Sequence, residues 1–129
     1  MIDKKIVHEV LKVSLESEAI RKSSAGKLAE VQDSIISLLI HDIFGGDILK
    51  THWKKRWHFY NRVNGERIDF TLPEIEKSNV PEIFEDIPAT PAETYNYVDV
   101  VDYSDFFMRF VRVFEETIGL GKFRSDFVL

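Results

Sequence analysis

Apolar side chains recur every three or four residues in three stretches of this chain and every second residue in a fourth, and the change of period separates helices from strands. Ile6, Val7, Val10, Leu11 and Leu15 have helical spacing. They predict a first helix of about three turns, with Asp3 as N-cap. Ser17 to Gly26 is polar and small and reads as a loop whose Ser23-Ser24 pair caps the next helix. In that second helix Leu28, Val31, Ile35, Leu38, Leu39, Asp42 and Ile43 follow the period, and Ile36 and Ile40 widen the apolar surface to nearly half the circumference. A helix of this kind is covered on more than one side. Glu30, Ser34, Ser37 and His41 form its remaining polar strip, and Asp33 lies at the margin, beside Ile36 and Ile40. Gly45-Gly46 stops it in the left-handed conformation. A last helix, capped by Ser104 or Asp102, carries Phe106, Phe107, Phe110, Val111, Val113, Phe114 and Ile118 and ends at Gly119 and Gly121. Ser125 to Leu129 reads as a tail, docked by Phe123 and Phe127.

The two-residue period falls between Trp57 and Thr71, around Asn64-Gly65. Asn-Gly between alternating aromatic and β-branched residues is the strongest short-range hairpin signal, because both residues tolerate the positive φ of a type I′ turn. The turn sets Val63 opposite Glu66, Arg62 opposite Arg67, Asn61 opposite Ile68, Tyr60 opposite Asp69 and His58 opposite Thr71. Trp57, Phe59, Val63, Ile68, Phe70 and Leu72 then share one face, and His58, Tyr60, Asp69 and Thr71 the other. Upstream, Ile48 to Trp53 predicts a strand, followed by the basic loop Lys54-Lys55-Arg56. Downstream, Pro73 to Pro88 is acidic and turn-rich, with one helical turn at Glu74 to Lys77. Thr90-Pro91-Ala92-Glu93 is a capping box with proline in the first helical position, so a short helix runs from there to about Val98. No repeat, low-complexity tract or linker divides the chain. The expected architecture is a single α+β domain over residues 1–129, with helices packed on a small antiparallel sheet.

Composition narrows the function classes. With 129 residues there is material for a real core. A formal charge of −5 argues against nucleic-acid affinity, which needs a basic surface. The chain has no cysteine, which removes disulfides, thiolate metal sites and thiol catalysis. Met1 to Lys5 is too polar for a signal peptide, and no apolar run approaches the roughly 20 residues that span a bilayer; a cytoplasmic protein without membrane contact is expected. His8, His41, His52 and His58 are scattered and form no compact ligand motif, so neither a metal nor another cofactor is expected. Gly45-Gly46 lacks the spacing of a phosphate loop, and no Gly-x-Ser-x-Gly elbow is present. Lys50 to Trp57 interleaves cations with aromatics, as single-strand binders do, but on an acidic protein it reads as a solvated loop. The hairpin register makes His58 and Asp69 diagonal cross-strand neighbours, roughly 7–8 Å apart at the backbone. A carboxylate beside a histidine holds a general base in one tautomer; the same alternation also describes two polar residues on a solvated face.

The remaining constellation is Gln32-Asp33 on the second helix with His58 and Asp69 on the hairpin. A helix, then a strand with histidine, then a strand with aspartate is the chain order of a Cys-His-Asp thiol enzyme. From Val31 to Thr71 the sequence resembles the YunG-like proteins of bacteria. Val31-Gln32-Asp33, Ser37-Leu38-Leu39, Asp42 to Lys50, His58-Phe59-Tyr60-Asn61 and Gly65 to Thr71 carry the resemblance, across both the helix end and the hairpin. It implies a papain-like or transglutaminase-like core with a nucleophilic cysteine, a histidine base, an orienting aspartate, and a glutamine near the oxyanion. Carried over by position, Gln32, His58, Asn61 and Asp69 remain. The cysteine position holds Asp33, and Val31 stands in place of the preceding glycine. A carboxylate attacking an amide forms only an activated anhydride, so Asp33 is no substitute nucleophile. Paired with His58 it makes a charge-assisted hydrogen bond that raises the histidine's pKa. The resulting expectation is a catalytically inactive cysteine-peptidase/transglutaminase-like domain, a binding or regulatory module with Gln32, Asn61 and Tyr60 at its cleft and an unspecified protein or small molecule as partner. Two alternatives stay open: an enzyme of another class using His58 with Asp33 or Asp69 as an acid/base pair, and an interaction protein unrelated to the family. The phenylalanines of the last helix serve either the core or a homodimer face. All of this requires the second helix to lay Asp33 against the imidazole of His58.

Overall fold

The computed structural model describes residues 3–16, 28–70 and 83–119. Chain order is α1 (Lys4–Ser14), α2 (Leu28–Phe44), β1 (Asp47–Trp53), β2 (Arg56–Val63), β3 (Glu66–Ile68), β4 (Ile87–Ala89), α3 (Pro91–Thr94) and α4 (Val100–Ile118). The expected loop at Ser17 to Gly26, the turn at Glu74 to Lys77 and the C-terminal tail lie outside the described residues. The four strands form one antiparallel sheet in the order β3-β2-β1-β4, so the fold class is α+β.

The Asn64-Gly65 turn forms as its residue types require, with φ of 53° and 79°. It pairs Val63 with Glu66, Arg62 with Arg67 and Asn61 with Ile68, the register expected from the sequence. A second hairpin was not legible. The expected three-residue basic loop is a two-residue turn, Lys54-Lys55, and Arg56 already belongs to β2 opposite Trp53. Both lysines are left-handed, with φ of 50° and 66°, which costs non-glycine residues roughly 1–2 kcal/mol each. Seven paired positions between β1 and β2 outweigh that. β4 was missed for a similar reason. Pro88 reads as a strand breaker, yet β4 is an edge strand, where proline is tolerated.

α1 is capped as expected, with Asp3 accepting from the backbone N–H of Ile6 at 3.2 Å. α3 keeps its capping box, Glu93 accepting from the Thr90 N–H at 2.6 Å, but it ends at Thr94 rather than Val98. Asp99, not Ser104 or Asp102, caps the following helix by accepting from Val101 N–H at 2.9 Å, so the chain must turn before it. Gly119, at φ 72°, ends α4.

Val7, Val10 and Leu11 of α1, Ile35, Leu38 and Leu39 of α2, Phe59, Val63 and Ile68 of the sheet, and Phe106 and Phe110 of α4 share one core. The polar strip expected on α2 is largely internal: Ser34 and Ser37 are buried. Ser37 Oγ donates to the Ser34 carbonyl at 3.1 Å, and Asn61 Nδ2 donates to the Ser37 carbonyl at 2.9 Å, tying sheet to helix. Small hydroxyl residues let the helix approach other elements on this side as well. The sheet is covered on both faces near the site. Ile48, Phe59, Val63 and Ile68 join the core on the α2 side. Behind them, Thr51 and Tyr60 hold the segment after residue 82: Thr51 Oγ1 donates to the Ile83 carbonyl at 3.1 Å, and Tyr60 Oη donates to Asp86 at 2.8 Å.

Candidate functional site

Pairing with Thr51 sets His58 on the Thr51 and Tyr60 face of β2. β3 pairs with β2 as far as Ile68 opposite Asn61, and among the described residues no strand pairs with β2 on that side at His58. Two carboxylates meet the imidazole in its place. Asp69 follows β3 directly and lies 2.5 Å from His58 Nε2; Asp33 of α2 lies 2.7 Å from Nδ1. The expected convergence of Asp33, His58 and Asp69 is therefore observed. The solvated-face alternative is not: the side chains of His58, Asp33 and Asp69 are 0%, 1% and 3% exposed.

Burial alone lowers a histidine's pKa, because it penalises the charged ring. Here the hydrogen bonds to Asp33 and then Asp69, together with both negative charges, outweigh burial and push His58 up to about 9. The ring is an imidazolium at neutral pH and donates from both nitrogens, one N–H to each carboxylate. Its fixed neighbours are aromatic: Tyr60 is stacked at 5.9 Å, and Trp53 and Phe84 present edges at 5.9 and 6.4 Å.

Arg56 completes the cluster, and sequence reasoning missed it by leaving it in a loop. Its Nη1 donates to the same Asp33 oxygen at 2.7 Å and to the Trp57 carbonyl at 3.0 Å. The available signal was strand spacing: once β2 starts at residue 56, Arg56 lies two positions before His58 and on its face. Two cations and two carboxylates thus balance in a space that is almost dry. Asp33 Oδ1 and Arg56 Nη2 are buried without a hydrogen-bond partner among the described residues.

The other sequence candidates are placed differently. Tyr60 is buried, its hydroxyl held by Asp86, and burial with that hydrogen bond raises its pKa above the usual phenol range. Asn61 is buried and committed to the Ser37 carbonyl. Neither presents a free polar group to a ligand. Gln32 is half-buried beside Asp33 and joins none of the cluster's hydrogen bonds. Thr71 lies outside the described residues. Among the described residues no helix is long and apolar enough to cross a membrane.

Comparison with known proteins agrees with the motif positions. The chain is 39% identical over 64 residues to the uncharacterized protein YunG of Bacillus subtilis (strain 168), a match covering 50% of this chain and 53% of that protein. The match therefore spans about half the length of that relative. No solved structure matches the chain. The family model described as YunG protein matches residues 4–103, which include α1, α2, the whole sheet and the Asp33-His58-Asp69 cluster. By that match the chain belongs to the YunG family.

Proposed function

We propose that this chain is a non-catalytic domain of papain-like or transglutaminase-like descent that works as a binding or regulatory module. In this reading Asp33 stands where a working relative carries its nucleophilic cysteine, and the former triad has become a buried ionic latch. The observation that carries it is the state of His58. A general base needs a free lone pair and a path to substrate. The His58 ring is fully buried and carries a carboxylate on each nitrogen, and its raised pKa keeps it protonated at pH 7. The same facts weigh against an acid/base enzyme built on His58 with Asp33 or Asp69. No thiol is available anywhere in the chain.

The descent is tested by Asp33→Cys. Set against an imidazole and the Arg56 guanidinium, the introduced thiol should ionise below the ordinary cysteine value of about 8.5. Its thiolate absorbance, read in the ultraviolet without any reagent entering the site, should therefore be present at pH 7 and should be lost at that pH when His58→Ala is added. A thiol that titrates at or above the ordinary value, indifferent to His58, overturns the reading.

A further inference from the structure

Residues 83–86 cross the face of the sheet that carries His58 and Tyr60, and they belong to no strand or helix. β4 pairs with β1 only from Ile87 onward. Side chains of the sheet hold this strap instead. Thr51 Oγ1 donates to the Ile83 carbonyl at 3.1 Å and accepts from the Glu85 N–H at 3.0 Å. The Asp86 N–H donates to Tyr60 Oη at 2.8 Å. Phe84 is half-buried and is not part of the common core formed by α1, α2, the sheet and α4.

Three successive side chains of the strap are each received by their own partners. The Phe84 ring meets Tyr60 edge-on at 5.0 Å and His58 at 6.4 Å, with the Arg67 guanidinium over it at 4.9 Å. Glu85 accepts from the His52 backbone N–H at 2.8 Å and pairs with its Nδ1 at 3.0 Å. Asp86 accepts from Tyr60 Oη at 2.8 Å and is gripped by Arg67 through Nε at 3.0 Å and Nη2 at 2.6 Å. A two-pronged arginine grip of this kind is specific for a carboxylate. Ile83, by contrast, is 73% exposed. The face therefore recognises an aromatic ring and the carboxylates after it, on a segment that lies across the sheet as a bound peptide does.

We propose that this face is a docking surface for an acidic peptide with an aromatic residue two positions before a carboxylate, and that the chain's own Phe84-Glu85-Asp86 occupies it as an autoinhibitory strap. A strap outside the core, held by side chains at a half-exposed surface, opens locally while the rest of the fold stays closed. Its opening frees the Thr51 and Tyr60 hydroxyls and the Arg67 guanidinium together. The proposal rests on the reading of the domain as a binding module and names the chemistry of its partner.

The test pairs native-state hydrogen exchange with an NMR peptide titration, both on the full chain at pH 7. The Glu85 and Asp86 amides should exchange at least tenfold faster than those of β2; equal protection overturns the proposal, because the strap then opens only with the whole fold. The titrant is an end-blocked Ile-Phe-Glu-Asp-Ile peptide, the sequence of residues 83–87. Phe84→Ala with Asp86→Asn loosens the strap, asparagine being tolerant of the left-handed φ of 55° at position 86; Phe84→Ala alone serves if the pair does not fold. In the loosened variant the peptide should give saturable shifts at Thr51, Tyr60 and Arg67, and it should bind the wild-type chain at least tenfold more weakly. Changing the peptide's Phe to Ala or its Asp to Asn, or adding Arg67→Glu to the protein, should each weaken binding at least tenfold. No saturable shift in the loosened variant, equal binding to the wild-type chain, or indifference to Arg67→Glu overturns the proposal and leaves the non-catalytic reading standing. Cleavage of the bound peptide, read by mass spectrometry, has the opposite effect: it supports the surface and overturns the non-catalytic reading.

Discussion

His58 is where the electrostatics of the cluster can be measured near neutral pH. Its pKa in the folded protein is about 9, against 6.5 for the free side chain. A group whose folded pKa is raised binds its proton more tightly in the native state. Its contribution to stability is therefore complete below about pH 6.5 and is lost as the pH rises toward and through 9. The difference corresponds to on the order of 3 kcal/mol. Urea unfolding followed from pH 6.5 to 10 should show stability falling by about that amount. The slope should vanish in His58→Gln, and a wild-type profile that is flat over this window would contradict the imidazolium assignment. Asp33 is the other sensitive residue. Asp33→Ala leaves Arg56 and His58 without their shared carboxylate in an almost dry site, and loss of one member of a buried pair costs roughly 3–5 kcal/mol; equilibrium denaturation measures it. At this scale the sequence was informative about types and positions. Asp33, His58 and Asp69 were legible because helix and hairpin periodicity locate each one. Arg56 was not, because its role depends on where a strand begins. The burial of Tyr60 and Asn61 was not legible either, because parity tells which face a side chain takes but not what lies over that face.

Elements differ in how far their ends could be read. The stop after α2 is a case where two adjacent glycines have different reasons. Both have positive φ, 79° and 80°, but a Cβ on Gly45 meets nothing within 4 Å, whereas one on Gly46 would sit 2.2 Å from the Arg62 carbonyl oxygen. Gly45→Ala should cost about 1–2 kcal/mol, the left-handed penalty alone. Gly46→Ala should cost clearly more, because β2 must shift as well; equal thermal midpoints for the two variants would refute this assignment. The β1–β2 turn offers the converse experiment. Replacing Lys54-Lys55 by Asn-Gly removes two strained residues and should stabilise the protein by about 1–2 kcal/mol.

Across the whole molecule, the phenylalanines of α4 divide in a way periodicity alone did not decide. Phe106 and Phe110 are 1% exposed and lie in the common core, with Phe107 and Phe114 packed against it. Phe106→Ala should therefore cost about 3–5 kcal/mol in chemical denaturation, and a cost below 1 kcal/mol would place that ring outside the core. Chain topology also explains how the buried cluster is assembled. β3 is three residues long and Asp69 follows it at once, so α2 and the residue after β3 both bring a carboxylate to the His58 imidazole.

Local chemistry along the chain settled what depends on neighbours in sequence: the long helices, the caps at Asp3 and Thr90, the Asn64-Gly65 register, and the spacing that marks Asp33, His58 and Asp69. It settled these because helical and strand periods, turn φ values and capping are properties of a few consecutive residues. Tertiary structure alone decided the pairing of β1 with β2 and β4, the entry of Arg56 into the cluster, the burial of Ser34 and Ser37, and the protonation of His58. Those depend on which distant groups share a desolvated space, where the strength of a charge is set by its surroundings rather than by its place in the chain.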